Sequence, residues 1–324
     1  MHMSPIPAIA FLVGVNKGGT SGGAIPAILL NSPGTPEAAA SALDGYPMAK
    51  RGEAGNALRI SAYASAVGGV ASGLSLLLLA PPLATVTLLF GPAEYFWVAL
   101  FGMCSIAILL GADPLKGLIS STIGLLIGTI GIDSVSGHER FTLDIYYLTG
   151  GFNFIVLLAG LYGLPPAIEL AQTAARQKFD AARIGLGTGE NRFRDWRSLT
   201  PTLARSSLIG IVIGILPGVG GTMAAFLSYN EAKRADNDPD SFGKGNPQGI
   251  AAAESANNAV CGGALVPMLT FGIPGDPITA IVLGVLVING IQPGPQLMES
   301  QAGLIAPMLA ATPLIEWALS RAKS

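Results

Sequence analysis

Charged side chains are scarce in this sequence. Asp, Glu, Lys and Arg make up 12% of its 324 residues, whereas soluble domains contain about 25%. Half of the residues (50%) are hydrophobic. This balance excludes an ordinary soluble domain and predicts a membrane protein embedded in a lipid bilayer. The net charge of −2 and the lack of a basic stripe also argue against a nucleic-acid partner.

Metal-binding and catalytic motifs are missing as well. The chain contains two cysteines and two histidines. Cys104 and Cys261 lie in apolar runs, so we expect neither a disulfide framework nor a metal site, and His138 stands in a polar stretch typical of a solvated loop. No His-Glu-x-x-His sequence and no phosphate loop with Gly-Lys-Ser/Thr occurs. The sequence therefore predicts no enzyme, no bound metal and no cofactor.

Two apolar segments interrupted by glycine and proline are present at residues 22–36 and 262–277. Each begins with Gly-Gly-Ala and closes with Pro-Gly-x-Pro, at 33–36 in the first segment and at 274–277 in the second. A single Pro-Gly-x-Pro is an ordinary turn. Two copies in matching surroundings favour a functional interpretation, because a pair of interrupted apolar segments in two halves of a chain indicates a transporter's binding site.

The apolar runs predict an all-α, polytopic transmembrane helical bundle. We expect two internal, inverted repeats, each with one Gly/Pro-broken re-entrant hairpin, over residues 1–172 and 206–324. The linker at 173–205 is rich in arginine and is predicted to be cytoplasmic by the positive-inside rule. The first half is predicted to contain a broken hairpin at 18–43, a polar loop at 43–53, and spans at about 56–79 (ended by Pro81-Pro82), 94–111, 115–132 and 151–172. The second half is predicted to contain a broken span at 206–230, a polar loop at 231–258, a broken hairpin at 260–291 and a terminal helix at 303–319.

A helix broken inside the membrane presents free backbone N–H groups at the start of its second part. These groups and the helix dipole favour an anion such as a carboxylate. Thr35 and Asp276 are good N-cap residues, and each precedes a proline suited to the first helical turn. We therefore predict one carboxylate site formed by both broken segments. The predicted substrate-binding residues are Asn31, Ser32, Pro33, Gly34, Thr35, Pro36, Asn257, Asn258, Pro274, Gly275, Asp276, Pro277 and Thr279.

Two acidic residues have competing interpretations. Asp276 is either a plain N-cap beside the substrate or an intramembrane carboxylate that binds a coupling cation or carries a proton. Glu254 either faces water in the polar loop or takes part in ion coupling. The residues leave open whether the coupling ion is Na⁺ or H⁺.

Several motifs in order along the chain resemble the large membrane subunit of the tripartite tricarboxylate transporters, the TctA-like permease family. The resemblance covers residues from about 14 to 319. It is carried by residues 22–36, 43–50, 214–218, 254–260, 272–275 and 290–295. It implies a secondary transporter in a bacterial inner membrane that imports a tricarboxylate or a related organic anion and is driven by an ion gradient.

The resemblance also implies two protein partners. A periplasmic solute-binding protein would deliver the carboxylate, and a small membrane subunit would complete the assembly. The family's first-half counterpart of the break at 216–218 and its last helices have no match here, so the chain resembles a fragment lacking both ends. Asp276 and Pro277 stand where the family commonly has small or hydroxyl residues, which points to a substrate other than citrate.

Two other functions are less favoured. A non-transporting assembly or receptor subunit would bind the solute-binding protein without any flux. An intramembrane aspartyl protease would need Gly-x-Gly-Asp, whereas residues 273–276 read Ile-Pro-Gly-Asp. A second intramembrane aspartate is not evident, so the enzyme interpretation is the weaker of the two.

Overall fold

A computed structural model of the chain describes residues 5–109, 114–132, 137–152 and 195–291, together with a few positions between 156 and 172 and after 291. The described part is mostly helical, which confirms the predicted helical class. Its strands are one antiparallel pair, Gly131–Ile132 with Glu139–Arg140. Most of the predicted span at 151–172 and of the linker at 173–205, and all of the terminal helix at 303–319, lie outside the described residues.

The helices are numbered α1 to α11 in chain order. The first seven are α1 Pro5–Gly22, α2 Ala24–Leu30, α3 Ala38–Lys50, α4 Ala54–Thr87, α5 Pro92–Leu109, α6 Pro114–Gly128 and α7 Tyr146–Thr149. The others are α8 Thr200–Ile215, α9 Gly220–Ala235, α10 Pro247–Phe271 and α11 Pro277–Ile288. A short 3₁₀ helix, Pro239–Ser241, lies between α9 and α10.

The chain divides into two compact units. The larger unit comprises Met1–Phe90 with Asp180–Ser324, and the smaller one comprises Gly91–Phe179. In the smaller unit α5 packs against α6, and the strand pair follows. This grouping rests on contacts and does not test the division into two inverted repeats, which stays a prediction.

The larger unit is organised around α10. Every residue of α10 from Gly249 to Thr270 is buried, and α3, α4, α8 and α9 pack against it. Small residues make this possible, because they let neighbouring backbones approach closely. A Cβ added to Gly68 of α4 would overlap the carbonyl oxygen of Ser255, and one added to Gly214 of α8 would lie 2.7 Å from the carbonyl oxygen of Val260.

Gly210 of α8 provides a test of this packing. A Cβ at this position would overlap the carbonyl oxygen of Ala256 and lie 2.8 Å from the Cβ of Ala259. We expect Gly210→Ala to destabilise the protein by about 1–3 kcal/mol, the usual range for overpacking. Gly124→Ala is the matched control, because a Cβ there meets no described atom within 4 Å. The unfolding temperature of each variant is measured in detergent. A temperature for Gly210→Ala equal to or above that of Gly124→Ala would contradict the close approach of α8 to α10.

One described helix, α4, is long and apolar enough to cross a bilayer by length and composition. Shorter apolar helices are Leu115–Gly128, Thr200–Ile215 and Pro277–Val287. The remaining predicted spans stay predictions. The predicted end of α4 at Pro81-Pro82 is wrong, since the helix continues to Thr87. Packing of the buried Ala80 and Ala84 holds the helix together although each proline lacks a backbone donor.

The two predicted polar loops are also shorter than expected. Helix α3 runs through most of the loop predicted at 43–53, and α10 begins at Pro247, inside the loop predicted at 231–258. Their polar residues indicated water-exposed loops. In the structure Asp44 and Glu254 are fully buried, and both form hydrogen bonds within the protein that replace those to water.

Among the described residues, the helices break at the three Pro-Gly segments, at 31–37, 216–219 and 272–276. All three breaks fall where glycine and proline predicted them. Asn31 ends α2 in the left-handed conformation, with φ of 52°, and Gly272 ends α10 with φ of 72°. A residue in the left-handed conformation ends a helix because the N–H of the next residue can no longer donate to the carbonyl four residues earlier. Whether the flanking helices form re-entrant hairpins stays a prediction.

Candidate functional site

The second and third breaks touch directly. The backbone N–H of Gly218 donates to the carbonyl oxygen of Gly275 at 2.9 Å. Beside this bond, α9 begins at Gly220, whose φ of 69° suits glycine and few other residues. A Cβ added to Gly220 would lie 3.9 Å from the Cβ of Asp276. The start of α9 therefore faces the start of α11.

The first break reaches the same place through Glu37. A Cβ added to Gly221 would lie 3.8 Å from the Cβ of Glu37 and 2.7 Å from Oδ1 of Asn257 on α10. We call this group the junction. Its residues are Glu37, Gly220, Gly221, Asn257 and Asp276. The junction thus unites parts of the chain that lie up to 239 positions apart in the sequence (276 − 37).

The junction has the features of an anion site. Helix α9 has 16 residues and no acidic side chain in its first turn, so its free N–H groups and dipole favour negative charge. Asn257 is 3% exposed, and its Nδ2 has no hydrogen-bond partner among the described residues. Leaving a buried donor unpaired costs about 1–3 kcal/mol. An acceptor oxygen on a ligand could satisfy it.

Asp276 caps helix α11, as one of its two predicted interpretations required. The N–H of Thr279 donates to Oδ1 of Asp276 at 2.7 Å, and the N–H of Asp276 donates to the Thr279 hydroxyl at 3.0 Å. This reciprocal pair is a capping box. The capping box engages the buried Thr279 hydroxyl in a hydrogen bond, whereas Asp276 is partly exposed.

The loop at 31–36 folds back toward the connection between α1 and α2. The N–H of Gly34 donates to the carbonyl oxygen of Gly23 at 3.1 Å, and a Cβ on Gly34 would lie 2.9 Å from Gly23 Cα. Thr35 was predicted to cap α3, which is wrong: Glu37 precedes the helix, with no side-chain cap bond. Thr35 and Pro36 belong to the turn before the helix, in which the N–H of Ala38 donates to the carbonyl oxygen of Thr35. The exposed residues of this loop are Asn31, Pro33, Gly34 and Pro36.

Two predicted residues lie in the core instead. Glu254 is fully buried and accepts hydrogen bonds from the hydroxyls of Ser41 and Ser65, the latter at 2.9 Å. Asn258 accepts from the Ser21 hydroxyl at 2.9 Å, and its Nδ2 donates to the carbonyl oxygen of Glu254 at 3.0 Å. The water-facing interpretation of Glu254 is therefore wrong. These side chains tie α10 to α1, α3 and α4.

Lys17 and Glu37 were missed by the sequence reasoning. Lys17 is 1% exposed, and its Nζ donates to the carbonyl oxygen of Asn258 at 2.7 Å. It is the single charged residue between positions 5 and 36, and a charge within an apolar segment indicates a functional position. Glu37 directly follows the first Pro-Gly-x-Pro, so the sequence also showed that this acidic residue lies next to the first break.

Asp44 anchors the loop that leads into α10. Its Oδ1 accepts the backbone N–H groups of Gly243, Gly245 and Asn246 at 2.9, 2.7 and 2.8 Å, and its Oδ2 accepts the Tyr229 hydroxyl at 2.8 Å. One carboxylate thus fixes the start of the central helix relative to α3 and α9. The sequence placed Asp44 in a solvated loop and did not indicate this role.

Asp44→Asn is expected to loosen this loop. Hydrogen bonds to a charged acceptor contribute about 1.5–3 kcal/mol, and the amide keeps one acceptor oxygen but loses the charge. Hydrogen exchange at the amides of residues 243–246 should speed up about tenfold or more. Asp240→Asn is the control, since Asp240 is exposed in the same loop. Equal exchange in the two variants would show that Asp44 does not hold the loop.

Comparison with known proteins gives one family and two relatives. The model of the tripartite tricarboxylate transporter TctA family matches residues 1–319. An uncharacterized 52.8 kDa protein in the TAR-I ttuC' 3'region of Agrobacterium vitis is 37% identical over 309 residues, which are 95% of this chain and 61% of the relative. An uncharacterized protein in the TAR-II ttuC' 3'region of the same organism is 40% identical over 102 residues, 32% of this chain and 42% of the relative. The chain spans less than two thirds of the length of these relatives. No solved structure matches it.

Proposed function

Because this chain belongs to the tripartite tricarboxylate transporter TctA family, we propose that it forms the membrane permease of a tripartite secondary transporter. The permease lies in the inner membrane of a bacterium and imports a tricarboxylate or a related organic anion. A periplasmic solute-binding protein delivers the carboxylate, and a small membrane subunit completes the assembly. A gradient of Na⁺ or H⁺ drives uptake.

The convergence of three helix breaks at the junction carries this proposal. A carboxylate bound there would accept hydrogen bonds from the first-turn amides of α9 and from Nδ2 of Asn257. Both donors are backbone or amide groups that stay neutral, so they bind an anion without a fixed countercharge. A weakly bound anion can also be released, as transport requires. Paired breaks of this kind suit alternating access around one central site.

The other residues predicted from the sequence take different parts in the proposal. Asn31 is exposed and Ser32 partly buried, and in this proposal both contribute polar groups from the first break to the substrate. Asn258 and Thr279 have side chains committed to other bonds. They support the site by holding α10 and the start of α11 in position.

Uptake measurements test the proposal. Cells lacking their own carboxylate transporters would express the complete protein with its solute-binding protein and small subunit, and take up radiolabelled citrate or radiolabelled succinate. We expect uptake of at least one of the two probes that requires all three components. Capture of the solute-binding protein without uptake of either probe would contradict transport and favour an assembly or receptor subunit.

A further inference from the structure

The loop that joins α9 to α10 is fastened to two other segments of the larger unit. Arg51, in the turn between α3 and α4, donates from Nη2 to the carbonyl oxygen of Gly245 at 3.0 Å and from Nη1 to that of Lys244. Nε2 of Gln248, in the first turn of α10, donates to the carbonyl oxygen of Ser198 at 3.0 Å. The starts of α4, α8 and α10 therefore lie at one face of this unit.

Helix α8 leaves this face beside α10. A Cβ on Gly210 would overlap the carbonyl oxygen of Ala256. One turn later, a Cβ on Gly214 would lie 2.7 Å from the carbonyl oxygen of Val260. The contacts advance together along both helices, so α8 and α10 run in the same direction, away from the shared face.

Helix α9 returns to the face that α8 has left. Its first turn lies against the middle of α10, where the Cβ position of Gly221 is 2.7 Å from Oδ1 of Asn257. Two turns later, the ring of Tyr229 lies 2.8 Å from the Cβ position of Gly249, and its hydroxyl donates to Asp44 of α3. The contacts move back along α10 as α9 advances, so α9 ends near the start of α10.

Residues 200–235 thus form a hairpin whose two ends lie together. Nη1 of Arg205, near the start of α8, is 3.6 Å from Oε1 of Glu231, near the end of α9. Each helix has 16 residues, which span about 24 Å at about 1.5 Å per residue. The hydrocarbon core of a bilayer is about 30 Å thick. Neither helix is long enough to cross it, so the second break lies at the tip of the hairpin within the membrane.

Basic residues are concentrated at the shared face. They are Lys50, Arg51, Arg59, Arg197, Arg205, Lys233, Arg234 and Lys244. The sequence has no lysine or arginine at 60–90, 206–232 or 245–291, which form the rest of the packed helices. Lys17 stands apart, because it is buried among α1, α4 and α10. Lysine and arginine are in excess on the cytoplasmic side of membrane proteins, so the shared face is cytoplasmic.

We infer that the hairpin at 200–235 enters and leaves the membrane at its cytoplasmic side, and that the loop at 236–246 faces the cytoplasm. One broken span over the same residues would instead carry this loop to the other side, away from Arg51 and Ser198. The inference rests on the inner-membrane location in the proposed function but requires no transport. A periplasmic solute-binding protein has no access to this loop and must meet other parts of the transporter.

Single cysteines on the two sides of the membrane test this arrangement. The starting protein is the complete chain with its cysteines, Cys104 and Cys261 among them, replaced by serine. Asp240→Cys reports on the loop, and Arg197→Cys reports on the linker before α8. Tyr147→Cys is the control for the outer side, because the predicted span at 151–172 separates it from the linker. All three side chains are exposed, and a membrane-impermeant maleimide is applied to intact spheroplasts and to inside-out vesicles.

We expect Asp240→Cys and Arg197→Cys to react in inside-out vesicles and to lose this labelling in spheroplasts until the membrane is permeabilised. Tyr147→Cys should show the reverse pattern. Reaction of Asp240→Cys in intact spheroplasts would overturn the inference, whether or not Arg197→Cys reacts there as well. Asn237→Cys, exposed in the same loop, gives the same readout where Asp240→Cys fails to accumulate.

The labelling result is independent of transport. A complete transporter that moves neither citrate nor succinate would overturn the proposed function, while the labelling pattern would remain because it requires no flux. Uptake together with labelling of the loop from outside would overturn the hairpin and leave the proposed function intact.

Discussion

Gly275→Ala is expected to abolish carboxylate uptake while the protein still reaches the membrane. A Cβ at Gly275 would lie 2.6 Å from the carbonyl oxygen of Gly214 and 2.7 Å from both Cα and Cβ of Ala264. These are atoms of two packed helices, so they cannot rotate away as a flexible side chain would. The segment at 272–276 must move, and with it the bond from Gly218 to Gly275. A shift of about 1 Å at a site of this kind can cost about a hundredfold in rate.

The measurement is the initial rate of citrate or succinate uptake per amount of protein in the membrane. Gly19→Ala is the matched control, because a Cβ there meets no described atom within 4 Å. Gly34→Ala should fall between them, since its closest contact is 2.9 Å, to Gly23 Cα. Wild-type uptake by Gly275→Ala would show that the third break does not form the site.

Glu254→Ala is expected to have the largest effect on stability. Glu254 is 0% exposed and accepts from the hydroxyls of Ser41 and Ser65. Removing the carboxyl group leaves both hydroxyls buried without their acceptor, and each buried polar group left without a partner costs about 1–3 kcal/mol. The hydrogen bonds that are lost join α3 and α4 to the central helix α10. The variant should unfold at a clearly lower temperature in detergent and accumulate less in the membrane.

Glu231→Ala gives the comparison at a partly exposed charge. Glu231 lies 3.6 Å from nitrogen atoms of both Arg205 and Arg234, and exposed pairs of this kind contribute about 0–1 kcal/mol. Ser65→Ala should fall between the two variants, since it removes one hydroxyl donor and keeps the carboxylate. Similar unfolding temperatures for Glu254→Ala and Glu231→Ala would mean that Glu254 is not held by its buried partners.

The buried polar groups around α10 differ in kind from those at the junction. Lys17, Asn258 and Glu254 all have partners within the protein. In a membrane the alternative to such bonds is an unpaired group, so the network specifies how α1, α3 and α4 pack on α10. Asn257 lies one residue away from Asn258, but its Nδ2 has no partner among the described residues. The contrast between these two neighbours distinguishes a group that supports the fold from one that is available to a ligand.

The sequence by itself determined the helical class and the positions of the helix breaks. Glycine and proline act on the local backbone, so the Pro-Gly pairs mark interruptions that the sequence shows directly, at Pro33-Gly34, Pro217-Gly218 and Pro274-Gly275. The cap at Asp276 was predictable for the same reason. Pro81-Pro82 shows the limit of local reasoning, because packing of Ala80 and Ala84 keeps that helix intact.

Only the tertiary structure decided which breaks meet and which polar residues are buried. The second break contacts the third through Gly218 and Gly275, and Glu37 reaches the junction from the first. Asp44 and Glu254 resemble loop residues in the sequence but are fully buried. No local pattern could show this, because the partners that satisfy these carboxyl groups are contributed by distant helices and become neighbours only when the chain packs around α10.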